Sequence, residues 1–183
     1  MLLPLLERRI SYLEKSTDRS YGEQQSMLSV EALKKIDSEL TKYPPDQKRS
    51  AVMAALTIAQ DEKGWLATEV MDFVAQYLDI PPIAVYEVAT FYEMYNTAPT
   101  GKYKITICTN LPCALSGANV TAKHLKEKLG IDFDETTVDG KFTLKQGECF
   151  GACGDAPVFL VNNKKMCSFM NSKKTDQFLS ELK

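Results

Sequence analysis

The chain is poor in the residues and motifs on which common catalytic sites depend. It has 183 residues and a single histidine, His124, which lies among lysines on the expected wet face of a helix. A lone histidine so placed excludes a Ser–His–Asp site and cannot complete the two-histidine ligation of a Rieske centre. No G-x-G-x-x-G or P-loop sequence is present, which excludes nucleotide sites of those kinds. We therefore expect no catalytic residue in this chain.

Long hydrophobic runs and a strong excess of one charge are also missing. The longest mostly apolar stretch, residues 51–59, is far too short to span a bilayer. No cationic segment precedes the first apolar residues, so the amino terminus is not typical of a secretory signal. The formal net charge is only −2, so nothing indicates a nucleic-acid footprint. We expect a cytoplasmic protein with no nucleic-acid partner and no direct membrane insertion.

Cysteine is the informative residue that is present. The chain has five cysteines, an odd number that argues against a disulfide framework. Four of them form two closely spaced pairs with 35 residues between the pairs: Cys108, Cys113, Cys149 and Cys153. Four thiolates suit either a tetrathiolate zinc site or a [2Fe–2S] cluster. The fifth, Cys167, is predicted to be a core thiol.

The sequence around the second cysteine pair favours the cluster. Three glycines lie within residues 147–154, and glycine lets the backbone approach a two-iron unit that is larger than one ion. Loop N–H groups can then donate hydrogen bonds to the sulfurs. A zinc-stabilised interaction module and a thioredoxin-like thiol enzyme remain alternatives. Glu148 and Asp155, which flank the loop, are expected to face solvent.

Residues 29–96 have the periodicity of a bundle of four short helices. Apolar residues recur at helical spacing, so each helix has one face to bury against the others. Ser29 and Thr68 are predicted N-caps, and Tyr92 is predicted to belong to the apolar stripe of the last helix. Residues 1–28 are predicted to be an extension, docked on a partner or partly disordered.

After a turn-rich linker, residues 101–183 change to the periodicity of strands. Lys104 alternates with apolar residues, so the first strand is predicted to bury one face and to end at Cys108. Cys113 is predicted to lie just before a helix whose apolar stripe starts at Leu115. Further strands and a last helix follow in the order of the thioredoxin fold. We therefore expect an α+β fold, a helical bundle followed by a thioredoxin-like α/β domain.

Shorter features complete this interpretation. A short strand is predicted near Thr137–Val138, followed by a hairpin turn at Asp139–Gly140. A second turn is predicted at Asn162–Asn163, and Ser172 is the predicted cap of the last helix. Ala156–Pro157 is a candidate cis peptide, because thioredoxin-like folds place one near their active loop.

Three segments resemble a known family: residues 85–92, residues 108–113 and residues 147–157. Over about residues 30–183 the chain resembles the [2Fe–2S] subunits of the NADH-oxidising module of respiratory complex I. It is most similar to the bacterial E subunits of NADH–quinone oxidoreductases. The second and third segments contain the four cysteines that match the family's ligand positions.

The resemblance implies one [2Fe–2S] cluster with the ligands Cys108, Cys113, Cys149 and Cys153, held in a thioredoxin-like [2Fe–2S] ferredoxin domain. It implies a one-electron carrier whose cluster exchanges electrons with FMN. The FMN and the NADH are bound by a partner flavoprotein subunit, not by this chain. Through that partner the chain is expected to join the other subunits of complex I, peripheral to the inner membrane. Soluble NAD-reducing hydrogenases and formate dehydrogenases contain relatives and are alternative hosts.

Overall fold

The computed structural model describes residues 27–182, which contain seven α-helices and five strands. The predicted extension, residues 1–28, lies almost wholly outside the described residues. The helices are α1 (Val30–Leu40), α2 (Val52–Lys63), α3 (Thr68–Leu78), α4 (Pro82–Phe91), α5 (Leu111–Leu115), α6 (Ala118–Leu129) and α7 (Ser172–Glu181). The strands are β1 (Tyr103–Cys108), β2 (Glu135–Thr136), β3 (Phe142–Gly147), β4 (Phe159–Val161) and β5 (Lys165–Cys167). The chain therefore has an α+β fold, as expected.

Helices α1–α4 pack into one apolar core, and their ends follow from identifiable residues. The Ser29 hydroxyl accepts a hydrogen bond from the Ala32 N–H and donates one of 2.7 Å to Glu62 on α2, which ties the start of α1 to its neighbour. Gly64 ends α2 with a φ of 83°, a conformation that suits glycine. The core is formed by buried residues from all four helices and the segments beside them: Leu28, Ala32, Leu33, Ile36, Val52, Ala55, Leu56, Ala59, Leu66, Val70, Met71, Val74, Ala75, Leu78, Val85, Ala89 and Tyr95.

Three local predictions were wrong at helix ends. Thr68 and Ser172 are the first helical residues of α3 and α7, not their caps. Asn171 caps α7, because its side chain accepts a hydrogen bond of 3.0 Å from the Lys174 N–H. Tyr92 lies just beyond α4 in extended backbone and is 41% exposed, so it does not belong to the apolar stripe.

The five strands form one mixed sheet in the order β2-β3-β1-β4-β5. Strands β1 and β3 are parallel, and the other neighbouring strands are antiparallel. Helices α6 and α7 cover one face of the sheet. The core between these helices and the sheet contains Ile105, Ile107, Ala122, Leu125, Phe142, Leu144, Phe159, Val161, Cys167, Met170 and Phe178. The strand–helix–strand start and the antiparallel end match the predicted thioredoxin-like order.

The second face of β1 is buried as well, which contradicts the predicted one-sided strand. Lys104 is 2% exposed and Thr106 is 6% exposed. The Lys104 ammonium donates a hydrogen bond of 2.6 Å to Asn96 Oδ1, so the segment that joins the two halves lies against this face. An alternation of polar and apolar residues indicates a solvent-exposed strand face only where no other part of the protein packs against that face.

Two further predictions were displaced. Gly117, with a φ of 95°, separates α5 from α6, so Leu115 is not on the α6 stripe and is 80% exposed. Strand β2 comes one to two residues before the predicted Thr137–Val138, and the turn with Asp139–Gly140 then leads into β3. The Asn162–Asn163 turn is present, with both residues at positive φ. Ala156–Pro157 is a cis peptide.

Polar contacts join the helical half to the sheet. The Asn163 side chain donates to the Met94 carbonyl at 2.6 Å, and Lys164 forms an ion pair of 2.9 Å with Asp61 on α2. Among residues 27–182, no helix is long and apolar enough to cross a membrane.

Candidate metal centre

The parallel pairing of β1 with β3 brings the two cysteine loops to one edge of the sheet. Cys108 is the last residue of β1, and its partner across the ladder is Gly147, the last residue of β3. Cys149 follows two residues later. The Cys108 N–H also donates a hydrogen bond of 3.1 Å to the carbonyl of Val158, which ties this edge to the chain beyond the second pair. Residues distant in sequence thus meet where both strands end.

The first pair is the buried side of the site. Cys108 is 1% exposed and Cys113 is 2% exposed, and both pack with Ala118 and Val158. Cys113 lies inside the short helix α5, which corrects the prediction that it precedes a helix. Pro112 suits the first turn of α5, where a missing N–H costs no helical hydrogen bond.

The second pair is the exposed side of the site. The sulfurs of Cys149 and Cys153 are 3.9 Å apart, and both residues are exposed. Two thiolates at about 2.3 Å from one tetrahedral metal are about 3.8 Å apart, so this spacing fits two ligands of one ion. The Gly151 N–H points at the Cys149 sulfur at 3.4 Å, and Gly151 has a φ of 74°. The loop therefore supplies the glycine conformation and the N–H donor that the sequence predicts.

Side chains also join the two loops. Asn110 donates a hydrogen bond of 2.6 Å to Glu148 Oε2, and Gln146 donates one of 2.7 Å to the Thr109 hydroxyl. Within residues 27–182, no three His, Cys, Asp or Glu side chains are grouped to hold a single ion. A two-iron cluster requires two ligands for each iron, and two cysteine pairs supply the number of thiolates that it needs.

Electrostatics at two of the four sulfurs, those of Cys113 and Cys153, disfavour the free thiolate. Burial raises the pKa of the Cys113 thiol, and a hydrogen bond with Cys108 raises it further. The hydrogen bond with Cys149 raises the pKa of Cys153, and the charges of Cys149 and Cys108 add to this effect. A reactive thiol enzyme needs a lowered cysteine pKa, and the shifts at Cys113 and Cys153 go in the opposite direction. Bound cations remove the mutual repulsion of thiolates, and the donor set therefore fits a metal cluster.

The remaining residues singled out from the sequence have structural contacts. Cys167 is 8% exposed in β5, as expected of a core thiol, and burial raises its pKa. His124 is half-buried, and its Nε2 lies 3.0 Å from Asp176 Oδ1 on α7. Glu148 and Asp155 are exposed as expected, but both accept hydrogen bonds, Asp155 from the Ser168 hydroxyl at 2.9 Å.

Comparison with known protein families identifies the family of the chain. The model of the thioredoxin-like [2Fe-2S] ferredoxins matches residues 36–183. The chain belongs to this family. A thioredoxin-like [2Fe-2S] ferredoxin is an iron–sulfur protein, which agrees with the thiolate pairs at the sheet edge.

Family members with curated names support the resemblance seen in the sequence. The E subunit of NADH-quinone oxidoreductase from Rickettsia typhi is 43% identical over 147 residues, 78% of this chain and 86% of the relative. The corresponding protein of Rickettsia felis is 47% identical over 125 residues, 68% of this chain and 75% of the relative. NADH dehydrogenase [ubiquinone] flavoprotein 2 of Dictyostelium discoideum is 39% identical over 154 residues, 84% of this chain and 62% of the relative. The resemblance to the bacterial E subunits is therefore confirmed.

A solved structure supports the fold alone. An NAD+-reducing [NiFe]-hydrogenase in the air-oxidized state superposes with a TM-score of 0.62 at 20% identity. The match covers 72% of this chain and 22% of that longer chain. This ferredoxin fold therefore recurs as one part of a larger oxidoreductase polypeptide.

Proposed function

We propose that the chain is the one-electron carrier subunit of the NADH-oxidising module of an NADH–quinone oxidoreductase, with one [2Fe–2S] cluster as its cofactor. The observation that carries the proposal is the placement of two cysteine pairs at the common end of β1 and β3, with the sulfurs of one pair 3.9 Å apart. The names of the family members described above point to the same complex. The complex oxidises NADH; this chain supplies no catalytic residue.

The four cysteines have distinct environments, and these suggest distinct roles. Cys108 and Cys113 would hold one iron, in a buried environment where they pack against the apolar residues Ala118 and Val158. Cys149 and Cys153, which are exposed, would hold the other iron. When bound, the cluster accepts and releases one electron at a time. The exposed pair leaves one side of the site open for electron exchange with a partner.

The proposed partner is the flavoprotein subunit that binds FMN and NADH, and FMN is the proposed electron donor and acceptor. Leu111 and Leu115 lie in the same short helix as Cys113 and are 70% and 80% exposed. Large apolar side chains with this exposure beside a redox site suit a protein contact. The flavoprotein is therefore proposed to dock over α5 and the exposed cysteine loop.

The proposed host is complex I, reached at the inner membrane only through the partner subunits. Identities of 43% and 47% to the two rickettsial proteins favour this host over a hydrogenase, whose structure is related at 20% identity. Co-purification of the native chain from membranes and from cytosol, with the bound proteins identified by mass, tests the assignment. Recovery with hydrogenase or formate dehydrogenase subunits instead would contradict it.

Cysteine substitutions test the cofactor and its ligands. We expect Cys→Ser at position 108, 113, 149 or 153 to remove the cluster or change its EPR signal, with loss of iron and acid-labile sulfide. Cys167→Ala is the matched control, because Cys167 is buried in β5 within the core beneath α6 and α7. The wild-type protein should be coloured and should bleach with dithionite. A colourless protein that contains zinc would refute the proposal.

A further inference from the structure

One carboxylate of the helical half contacts the second cysteine loop. Glu93 follows α4, and its Oε2 accepts a hydrogen bond of 3.1 Å from the backbone N–H of Glu148. Glu148 directly precedes Cys149, and 55 positions separate the two glutamates in sequence. This solvent-exposed hydrogen bond therefore links the end of the helical half to the loop that contains Cys149.

A second contact with the sheet lies close to Glu93 in sequence. Asn96, three residues beyond Glu93, accepts the hydrogen bond of 2.6 Å from the Lys104 ammonium. The buried Lys104 charge also attracts the Glu93 carboxylate. Lys104 lies four residues before Cys108 on β1. Through Asn96 and Glu93, the end of the helical half therefore contacts both β1 and the exposed cysteine loop.

We propose that Glu93 is a positioning residue for the cluster and that its negative charge lowers the reduction potential. The inference rests on the proposed [2Fe–2S] cluster. Reduction adds an electron to the site, and a fixed negative charge nearby makes that addition less favourable. The same carboxylate holds the backbone just before Cys149, as residues beyond the direct ligands commonly orient metal ligands.

The Glu93→Gln substitution removes the negative charge of the side chain but keeps its hydrogen bond to the Glu148 N–H, so it tests the charge alone. Glutamine has nearly the same shape, and its amide oxygen can accept the hydrogen bond from the Glu148 N–H. The experiment uses the full chain, purified without oxygen, in a redox titration followed by EPR. We expect an unchanged cluster content and EPR line shape. At a fixed ambient potential, the ratio of reduced to oxidised cluster should rise about threefold to tenfold. This corresponds to a rise in the reduction potential of about 28–59 mV, at 59 mV per tenfold for one electron.

Three companion variants sharpen the result. Glu93→Asp retains the charge and should keep the potential near the wild-type value. Glu93→Ala removes charge and acceptor and should both raise the potential and alter the EPR line shape. Glu87→Gln is the control, because Glu87 lies on α4 but pairs with Arg49 at 2.9 Å, and it should leave the potential unchanged.

The outcomes distinguish this inference from the proposed function. A Glu93→Gln potential equal to that of the wild type, or an equal shift in Glu87→Gln, would overturn the role of Glu93 while the cluster remains. If Glu93→Gln loses the cluster, the potentials of Glu93→Asp and Glu93→Ala decide: a wild-type value for Glu93→Asp with a higher value for Glu93→Ala supports the role, and equal values for the two variants overturn it. Wild-type protein without iron and sulfide would overturn the proposed function, and this inference with it.

Discussion

Replacing Lys104 with methionine should stabilise the protein at neutral pH. Burial lowers the pKa of this amine from its ordinary value of 10.5 to about 8, the nearby charge of Lys145 contributes, and Glu93 opposes the shift. Such a shift corresponds to about 3 kcal/mol, at about 1.4 kcal/mol per pH unit. Methionine fills a similar volume without the charge, but it leaves Asn96 Oδ1 without its donor, at a cost of about 1–2 kcal/mol. We expect a net gain of about 1–2 kcal/mol for Lys104→Met at pH 6.5.

The pH dependence distinguishes this explanation from a simple packing effect. Below pH 8 the amine is protonated in the folded and unfolded chain, so the full penalty applies to the wild type. Between pH 8 and 10.5 the folded chain releases the proton while the unfolded chain retains it, so wild-type stability rises with pH. The advantage of Lys104→Met should therefore fall by about 2 kcal/mol between pH 6.5 and 9.5.

Melting temperatures of the two full-length proteins at these two pH values measure the effect, at about 2–4 °C per kcal/mol for a chain of this size. Lys164→Met is the control, because Lys164 is exposed and paired with Asp61, and its effect should stay within about 0.5 kcal/mol at both pH values. A Lys104→Met protein that is less stable than the wild type at pH 6.5, or a difference that does not change with pH, would refute the reasoning.

Two further predictions concern the loop and the docking surface. Gly147→Ala should destabilise the site by about 1–3 kcal/mol and shorten the lifetime of the cluster in air, because an added Cβ would lie 2.6 Å from Thr106 Cγ2 and 2.8 Å from the Phe150 ring. Gly154→Ala, where nothing lies within 4 Å, is the control, and equal lifetimes for the two variants would contradict the steric argument. Leu115→Asp should weaken flavoprotein binding at least tenfold in a pull-down titration, whereas Val138→Asp in the exposed hairpin should not; unchanged binding of Leu115→Asp would exclude α5 from the interface.

In the helical half, the sequence predicted features well where they depend only on residues within one turn of a helix. Ser29 forms its cap because a hydroxyl and a nearby N–H meet whenever a helix starts there. Thr68 has the same chemistry but lies one residue inside α3, where its hydroxyl is no longer at the capping position. Propensity therefore locates a helix start to within a residue or two.

Contacts between residues distant in sequence were harder to predict than the helices and strands, which follow from the periodicity of apolar residues. The pattern around Lys104 is that of a half-exposed strand, and only the tertiary contact with Asn96 explains its burial. The sequence predicted that the first strand ends at Cys108 and that the second pair lies in a glycine-containing loop, and the parallel register of β1 and β3 brings these two segments to one sheet edge. No sequence signal pointed to Glu93, because its contact with Glu148 depends on how the helical half packs against the sheet.

The hairpin between β2 and β3 offers an attachment point for a spectroscopic label. Val138 is fully exposed there, at the end of β3 opposite to Gly147. The six residues of β3 separate the two ends by about 20 Å at roughly 3.3 Å per residue. A nitroxide on a cysteine introduced at position 138 would lie within the range of pulsed dipolar measurements, so a reduced paramagnetic centre could be located in solution without altering the residues around it.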